Sequence, residues 1–261
     1  MPRTLRRLAG TALLILLIAT AVPAVAAAAD DYVALGDSYS SGVGTSSYTL
    51  DSSCKRSTYA YPYLLSRQRP DTSLSFVACS GATTADVMNE QISAVNGTTN
   101  IVTITVGGND LGFTGIIAAC VRFNCNATLN STRAAADATL TPKLDSVYAA
   151  IKGRAPSATV VVLGYPRLFS TSGCFGTLGI SASERANANL LADEIDRVTG
   201  LRAAAYGFTY ESATAAFTGH AVCARPAWLN GLKLFNTTES FHPTRNGQSS
   251  GYLPLVRAVV G

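Results

Sequence analysis

The sequence predicts an α/β domain built on a parallel sheet. Five short apolar runs, each about one strand long, recur along its 261 residues, and stretches of helical character lie between most of them. Strands that alternate with helices pair in parallel and are covered by helices on both faces. No long low-complexity linker and no internal repeat interrupts residues 30–261, and a length of about 230 residues suits one domain with a sizeable core.

Residues 1–29 are set aside from the fold. Arg3, Arg6 and Arg7 precede an apolar run from Leu8 to Val22, and Ala24-Val25-Ala26 or the alanines after it offer a small-residue cleavage site. That order predicts a signal peptide and an extracellular protein. The run is short and is followed by alanines rather than a charged stop, which argues against a membrane anchor. Arg6-Arg7 leaves both general and twin-arginine export open.

The mature chain then reads in order. Tyr32–Leu35 is the first strand, Tyr61–Arg69 a short helix, and Leu74–Ala78 and Ile101–Val106 the next two strands. Ser131–Arg154 is an alanine-rich helix in which Pro142 predicts a break or a second start. Thr159–Leu163 is a strand. Ser183–Ala205 has the clearest helical pattern, with Leu190, Leu191, Ile195 and Val198 making one apolar stripe. Phe208–Glu211 is a fifth, weaker strand, and Pro243–Val259 a closing helix. The segments Cys120–Arg133 and Ser170–Ser181 read as polar loops over the sheet's edge. Four Asn-x-Ser/Thr matches, at Asn96, Asn126, Asn130 and Asn236, point to exposed loops.

Charge and cysteines narrow the class. The formal net charge is +4, and three of those charges lie in the signal segment. No basic patch favours nucleic acid as a partner. Charged residues make up 14% of the chain, as suits a compact enzyme rather than a disordered segment. Six cysteines in a secreted chain imply disulfides. Fifteen pairings are open, of which the sequential one is the simplest: Cys54–Cys79, Cys120–Cys125 and Cys174–Cys223. Closing the first loop of about 25 residues adds roughly 3 kcal/mol on the chain-entropy model. No Cys-x-x-Cys occurs and neither histidine has ligand-like spacing, so no metal site and no cofactor is expected. Gly36, Gly42 and Gly44 do not form a dinucleotide fingerprint or a P-loop.

The chemistry concentrates in the run Gly36-Asp37-Ser38-Tyr39, where an apolar strand ends abruptly and lifts the Ser38 hydroxyl onto a strand-to-helix turn. Ser80-Gly81-Ala82-Thr83, Gly107-Gly108-Asn109-Asp110 and Glu239-Ser240-Phe241-His242-Pro243 follow. Serine, glycine, asparagine and histidine in that order resemble the four blocks of the SGNH (GDSL-type) hydrolases, a family of esterases and lipases. Tyr39 stands where the family's name has leucine, one position after the nucleophile. The resemblance implies a three-layer, flavodoxin-like fold with a five-stranded sheet, and it favours the sequential disulfide pairing.

It also assigns roles. Ester hydrolysis needs a nucleophile, a base, and donors for the oxyanion of the tetrahedral intermediate. Ser38 is the nucleophile; on its own it reads equally well as a helix N-cap. His242, at a loop tip before a proline, is the base, whereas His220 beside Cys223 reads as structural. The family's usual acid stands three residues before the histidine, where this chain has Glu239. Glutamate is one methylene longer than aspartate. The main-chain carbonyl of Ser240 is the favoured orienting group and Glu239 the alternative. A main-chain acceptor should leave the imidazole near its reference pKa of about 6.5. The Ser38 N–H, the Gly81 N–H and the Asn109 side chain form the expected oxyanion hole, at strand ends where open α/β sheets bind ligands. Asp37 is adjacent to the nucleophile and serves the loop rather than the triad.

These readings converge on a secreted, monomeric serine esterase or lipase that forms an acyl-enzyme. The resemblance is to the secreted bacterial lipase/esterase branch and favours lipid esters, with transient contact with lipid aggregates. A carbohydrate acetyl esterase is the alternative. A catalytically inactive lipid- or carbohydrate-binding protein is the reading from a different class, and the four intact blocks oppose it. Phe113, Ile116, Phe169, Phe175 and Trp228 are candidates for either an acyl groove or the core.

Overall fold

The computed structural model describes residues 30–261; the predicted signal peptide lies outside them. Five strands, β1 (Asp30–Gly36), β2 (Thr72–Phe76), β3 (Thr99–Thr105), β4 (Thr159–Leu163) and β5 (Thr209–Glu211), form one sheet in the order β2-β1-β3-β4-β5. Every pairing is parallel. The inner strands are buried apolar runs, Val33–Leu35 in β1, Ile101 with Val102 and Ile104 in β3, and Val160–Leu163 in β4. A strand covered on both faces requires such runs. The edge strand β2 is half buried or exposed throughout.

The helices follow from the connections. The short α1 (Ser38–Ser41) leaves β1 at once, and α2 (Tyr61–Gln68) leads to β2. Next come α3 (Thr84–Asp86) with a π-turn over Val87–Gln91, then α4 (Phe113–Cys120) and α5 (Asn126–Arg154) between β3 and β4. The α6 helix (Ala182–Ala205) links β4 to β5. After β5 the chain forms α7 (Ala213–Ala216), a π-turn over Gly247–Tyr252, and α8 (Leu253–Val260). Right-handed crossovers that leave β1 in opposite directions place helices on opposite faces. Accordingly α2 packs with α8, and α5 packs along α6.

Several boundaries differ from expectation for physical reasons. The α5 helix starts at Asn126, inside a segment expected to be loop, and runs through Pro142 without a break. Pro142 and Ala138, whose carbonyl it leaves without an intrahelical donor, both face solvent, so water replaces the missing bond. The α6 helix begins at a capping box, in which the Ser181 side chain accepts from the Glu184 N–H and the Glu184 carboxylate from the Ser181 N–H. Of its expected stripe, Leu191, Ile195 and Val198 are buried, but Leu190 is 44% exposed. Pro243 does not open the last helix; it pairs with Leu229 in an isolated bridge. The cysteines are joined as Cys54–Cys79, Cys120–Cys125 and Cys174–Cys223.

Candidate active site

The order β2-β1-β3 brings three strand ends together at the carboxyl edge of the parallel sheet, where the order of strand addition reverses between β1 and β3. At the end of β1 the backbone of Gly36 has φ 120°, and a Cβ there would lie 2.4 Å from the Thr105 carbonyl oxygen. Only glycine fits. The side chain of the buried Gln91 accepts from the Gly36 N–H at 2.8 Å and donates to its carbonyl at 2.9 Å, which fixes the strand end. The chain then turns into α1 with Asp37 as N-cap, accepting from the Tyr39 N–H at 2.9 Å. Ser38 is thus the first residue of a helix.

The other two strand ends carry Gly81 and Asn109. Gly81, after β2, sits in the left-handed region at φ 87° with open space where a Cβ would be. Cys54–Cys79 and a bond from the Ser80 N–H to the Cys54 carbonyl hold this turn. Asn109 opens the turn after β3. Its side chain donates to the Ala82 carbonyl at 3.0 Å, tying the two turns together and leaving its second N–H free to donate. Asp110 accepts from the Thr84 N–H at 2.9 Å and hydroxyl at 2.7 Å, and pairs with Lys143 at 3.1 Å. Among the described residues, no backbone acceptor meets the N–H of Ser38 or of Gly81.

Two hundred residues later the chain returns to Ser38. The His242 Nε2 lies 2.8 Å from the Ser38 Oγ, and its Nδ1 lies 3.0 Å from the Ser240 carbonyl oxygen. With the proton on Nδ1 donated to that carbonyl, Nε2 is free to accept from the serine hydroxyl. Phe241, between them, adopts φ 62°. This is a conformation that costs a bulky residue on the order of 1–2 kcal/mol, and it lets residues two apart meet. The loop is pinned from several sides. The Tyr39 hydroxyl donates to the Phe241 carbonyl at 2.9 Å, and the Asn230 N–H donates to the His242 carbonyl at 2.9 Å.

Glu239 is buried beside this loop, but its carboxylate is engaged elsewhere. It accepts from Ser46 at 2.7 Å and Tyr48 at 2.6 Å, and pairs with the Lys233 ammonium. Burial alone would raise its pKa; the Lys233, Tyr48 and Ser46 donors outweigh that and hold it at about 2. Burial, with the bond to Glu239, pushes the Tyr48 hydroxyl up to about 12.

His242 departs from its expected titration. Burial pushes its pKa down to about 4, against the upward pull of the Ser240 carbonyl and the Glu239 charge. Contact with a carbonyl therefore does not hold the ring near 6.5. Burial pushes Asp37 the other way, up to about 7, despite the hydrogen bonds from Tyr165 and the Tyr39 N–H. The Tyr165 hydroxyl also accepts from the Gly108 N–H at 3.1 Å. It thereby links the turn before Ser38 to the turn that carries Asn109.

An apolar depression opens over Ser38 and His242. Ala192 and Ile195 line the part at Ser38, and Ile117, Leu168 and Phe241 the part at His242, with Tyr39, Phe113 and Thr114 shared between them. Of the aromatic candidates only Phe113 lines it. Phe169 is core, packed edge-on against Phe241, and Phe175 is on the surface. Trp228 stacks on His220 at 3.6 Å, and His220 Nδ1 lies 2.8 Å from the Pro226 carbonyl oxygen. Cys120, Cys125 and Glu184 lie close together, but both sulfurs are in a disulfide and Glu184 caps α6, so the group is not a metal site.

Sequence reasoning missed Tyr39, Gln91, Tyr165 and Asn230 as supports of the site. Only Tyr39 carried a signal, as the departure from leucine beside the nucleophile.

Comparison with known proteins gives a consistent result. A model of the GDSL-like lipase/acylhydrolase family matches residues 34–249. The chain is 46% identical over 244 residues to a protein named lipase 1 from Streptomyces coelicolor, covering 91% of this chain and 90% of that one. Among solved structures, an extracellular lipase from Streptomyces rimosus aligns with TM-score 0.84 and 47% identity, covering 88% of this chain and all of that one. A phospholipase A1 from Streptomyces albidoflavus aligns with TM-score 0.85 and 44% identity, over 89% of this chain and all of that one.

Proposed function

The chain belongs to the GDSL-like lipase/acylhydrolase family and is an ester hydrolase, and from that premise we propose that it is a secreted enzyme cleaving lipid acyl esters through an acyl-enzyme on Ser38. The observation that carries the reading is the 2.8 Å contact between Ser38 Oγ and His242 Nε2 at the floor of an apolar depression. Ser38 Oγ attacks the ester carbonyl carbon while its proton passes to His242 Nε2. The oxyanion is met by the Ser38 N–H, the Gly81 N–H and the Asn109 amide. Collapse expels the alcohol, which takes the proton back from Nε2. Water then repeats the sequence and releases the acid. The imidazolium formed on the way is oriented by the Ser240 carbonyl at 3.0 Å. Glu239 serves the loop instead, because its oxygens are occupied by Ser46, Tyr48 and Lys233.

The lipid preference is supported by the Phe113, Ile117, Leu168 and Phe241 lining and by the named activities of the Streptomyces relatives. Extracellular placement is supported by the arginine-led apolar N-terminus, three disulfides and the extracellular relative. The enzyme is expected to act as a monomer and without a cofactor. Rates on p-nitrophenyl esters from acetate to palmitate, beside a phospholipid and an acetylated xylan, test the substrate class. Turnover of long-chain esters and phospholipid is expected. Activity confined to acetyl groups would overturn the lipid reading in favour of a carbohydrate esterase.

A further inference from the structure

Among the described residues, the three most exposed large apolar side chains are phenylalanines on neighbouring loops. Phe123 is 71% exposed, Phe175 is 72% exposed, and Phe235 is fully exposed, with Leu178 and Leu234 more than half exposed beside them in sequence. They sit on three loops that touch one another. The position of a Cβ on Gly179 is 2.2 Å from the Val121 carbonyl oxygen, which joins the loop of Phe175 to that of Phe123. Gly231 packs directly on Gly176, and the Leu232 N–H donates to the Gly176 carbonyl at 2.8 Å, which joins it to the loop of Phe235.

Each loop also continues a wall of the depression over Ser38. Phe123 follows α4, which supplies Phe113 and Ile117. The loop of Phe175 follows Leu168. The loop of Phe235 leads into Ser240–His242. The loop of Phe235 is also bonded to the catalytic loop, the Asn230 N–H donating to the His242 carbonyl and the Lys233 N–H to the Ser240 hydroxyl, both at 2.9 Å. Arg122, beside Phe123, is an exposed cation, whereas Lys233 is paired with Glu239; the carboxylates that touch these loops, Glu184 and Glu239, are buried and hydrogen-bonded. Aromatic tips beside an exposed arginine, with the neighbouring carboxylates buried, match the boundary of an anionic lipid surface, where rings enter the headgroup layer and cations meet phosphate.

We propose that these three loops form a docking surface that seats the enzyme on anionic lipid aggregates with the mouth of the Ser38 depression facing the lipid. It deepens the lipid reading above and rests on it for its purpose, but binding is measured without turnover. Ser38→Ala protein is mixed with sucrose-loaded vesicles of phosphatidylglycerol and phosphatidylcholine, and the bound fraction is read by sedimentation. The triple variant Phe123→Ser/Phe175→Ser/Phe235→Ser in the same background should bind at least tenfold more weakly. Arg122→Gln should lose about fivefold on anionic vesicles and little on pure phosphatidylcholine. With Ser38 restored, the triple variant should hydrolyse dissolved p-nitrophenyl acetate at the parental rate and vesicle lipid more slowly. Absence of binding by the Ser38→Ala protein, or equal binding by the triple variant, would overturn the docking surface. Binding that follows these expectations from an enzyme that leaves long-chain esters intact would instead remove the lipid substrate and leave the surface standing.

Discussion

At the scale of single residues, the site turns on how His242 is held. Its ring is buried, touches Ser38 through Nε2 and faces a neutral carbonyl through Nδ1. A base must be neutral to accept a proton, so activity is present above its pKa and lost as pH falls through it. With burial placing that pKa at about 4, the acid limb of kcat/KM should fall near pH 4. A limb near 6.5 in the free enzyme would mean that the ring is solvated as ordinary histidines are. The carboxylate of Glu239 yields a second expectation. Because it is spent on Ser46, Tyr48 and Lys233, Glu239→Gln should lower kcat by tenfold or less while lowering the melting temperature through the unpaired Lys233 ammonium. A loss of about 10³ or more with an intact fold is the signature of a triad acid and would reverse the assignment. The serine, glycine, asparagine and histidine were legible in the sequence because each stands in a short block with its own turn chemistry. Tyr165 and Gln91 were not, since a tyrosine in a loop and a glutamine in a helix give no sign of the distant backbone groups they meet.

At the scale of elements, the strands could be read because each inner one is a largely apolar run, as burial on both faces demands. Their order could not, since nothing local distinguishes a central strand from its neighbour; only the family resemblance supplied it. Helix boundaries failed where a breaker residue faced water. Pro142 suggested a break, yet α5 is continuous because packing of Leu140, Leu144, Val147 and Ile151 outweighs one missing bond on the wet side. Restoring that bond should therefore stabilise the protein. Pro142→Ala is expected to add about 3 kcal/mol and raise the melting temperature by about 6–12 °C for a domain of this size. An unchanged or lower melting temperature would show that the proline ring makes packing contacts worth as much as the bond it forfeits. The closing helix shows the reverse case. Gln248 is drawn inward by the Tyr61 N–H and the Tyr39 carbonyl, a long-range demand that accompanies the wide turn at Gly247–Tyr252 and that no local pattern announces.

At the scale of the whole molecule, the sheet order makes residues 38, 81 and 109 neighbours, and the last forty residues carry His242 back to them. A parallel sheet with its reversal between β1 and β3 offers one edge at which these turns converge, and the disulfide at Cys54–Cys79 fastens one of them. The apolar walls of the depression stand at the same edge. The central claim is that a single serine, Ser38, is the nucleophile that this architecture activates. Peptide mapping by mass spectrometry after treatment with a long-chain p-nitrophenyl alkylphosphonate tests it most directly. One equivalent of adduct on the peptide containing Ser38, formed with loss of activity and absent from His242→Ala protein over the same interval, is the result expected. Stoichiometric labelling at any other serine, or full inactivation with Ser38 unmodified, would contradict it.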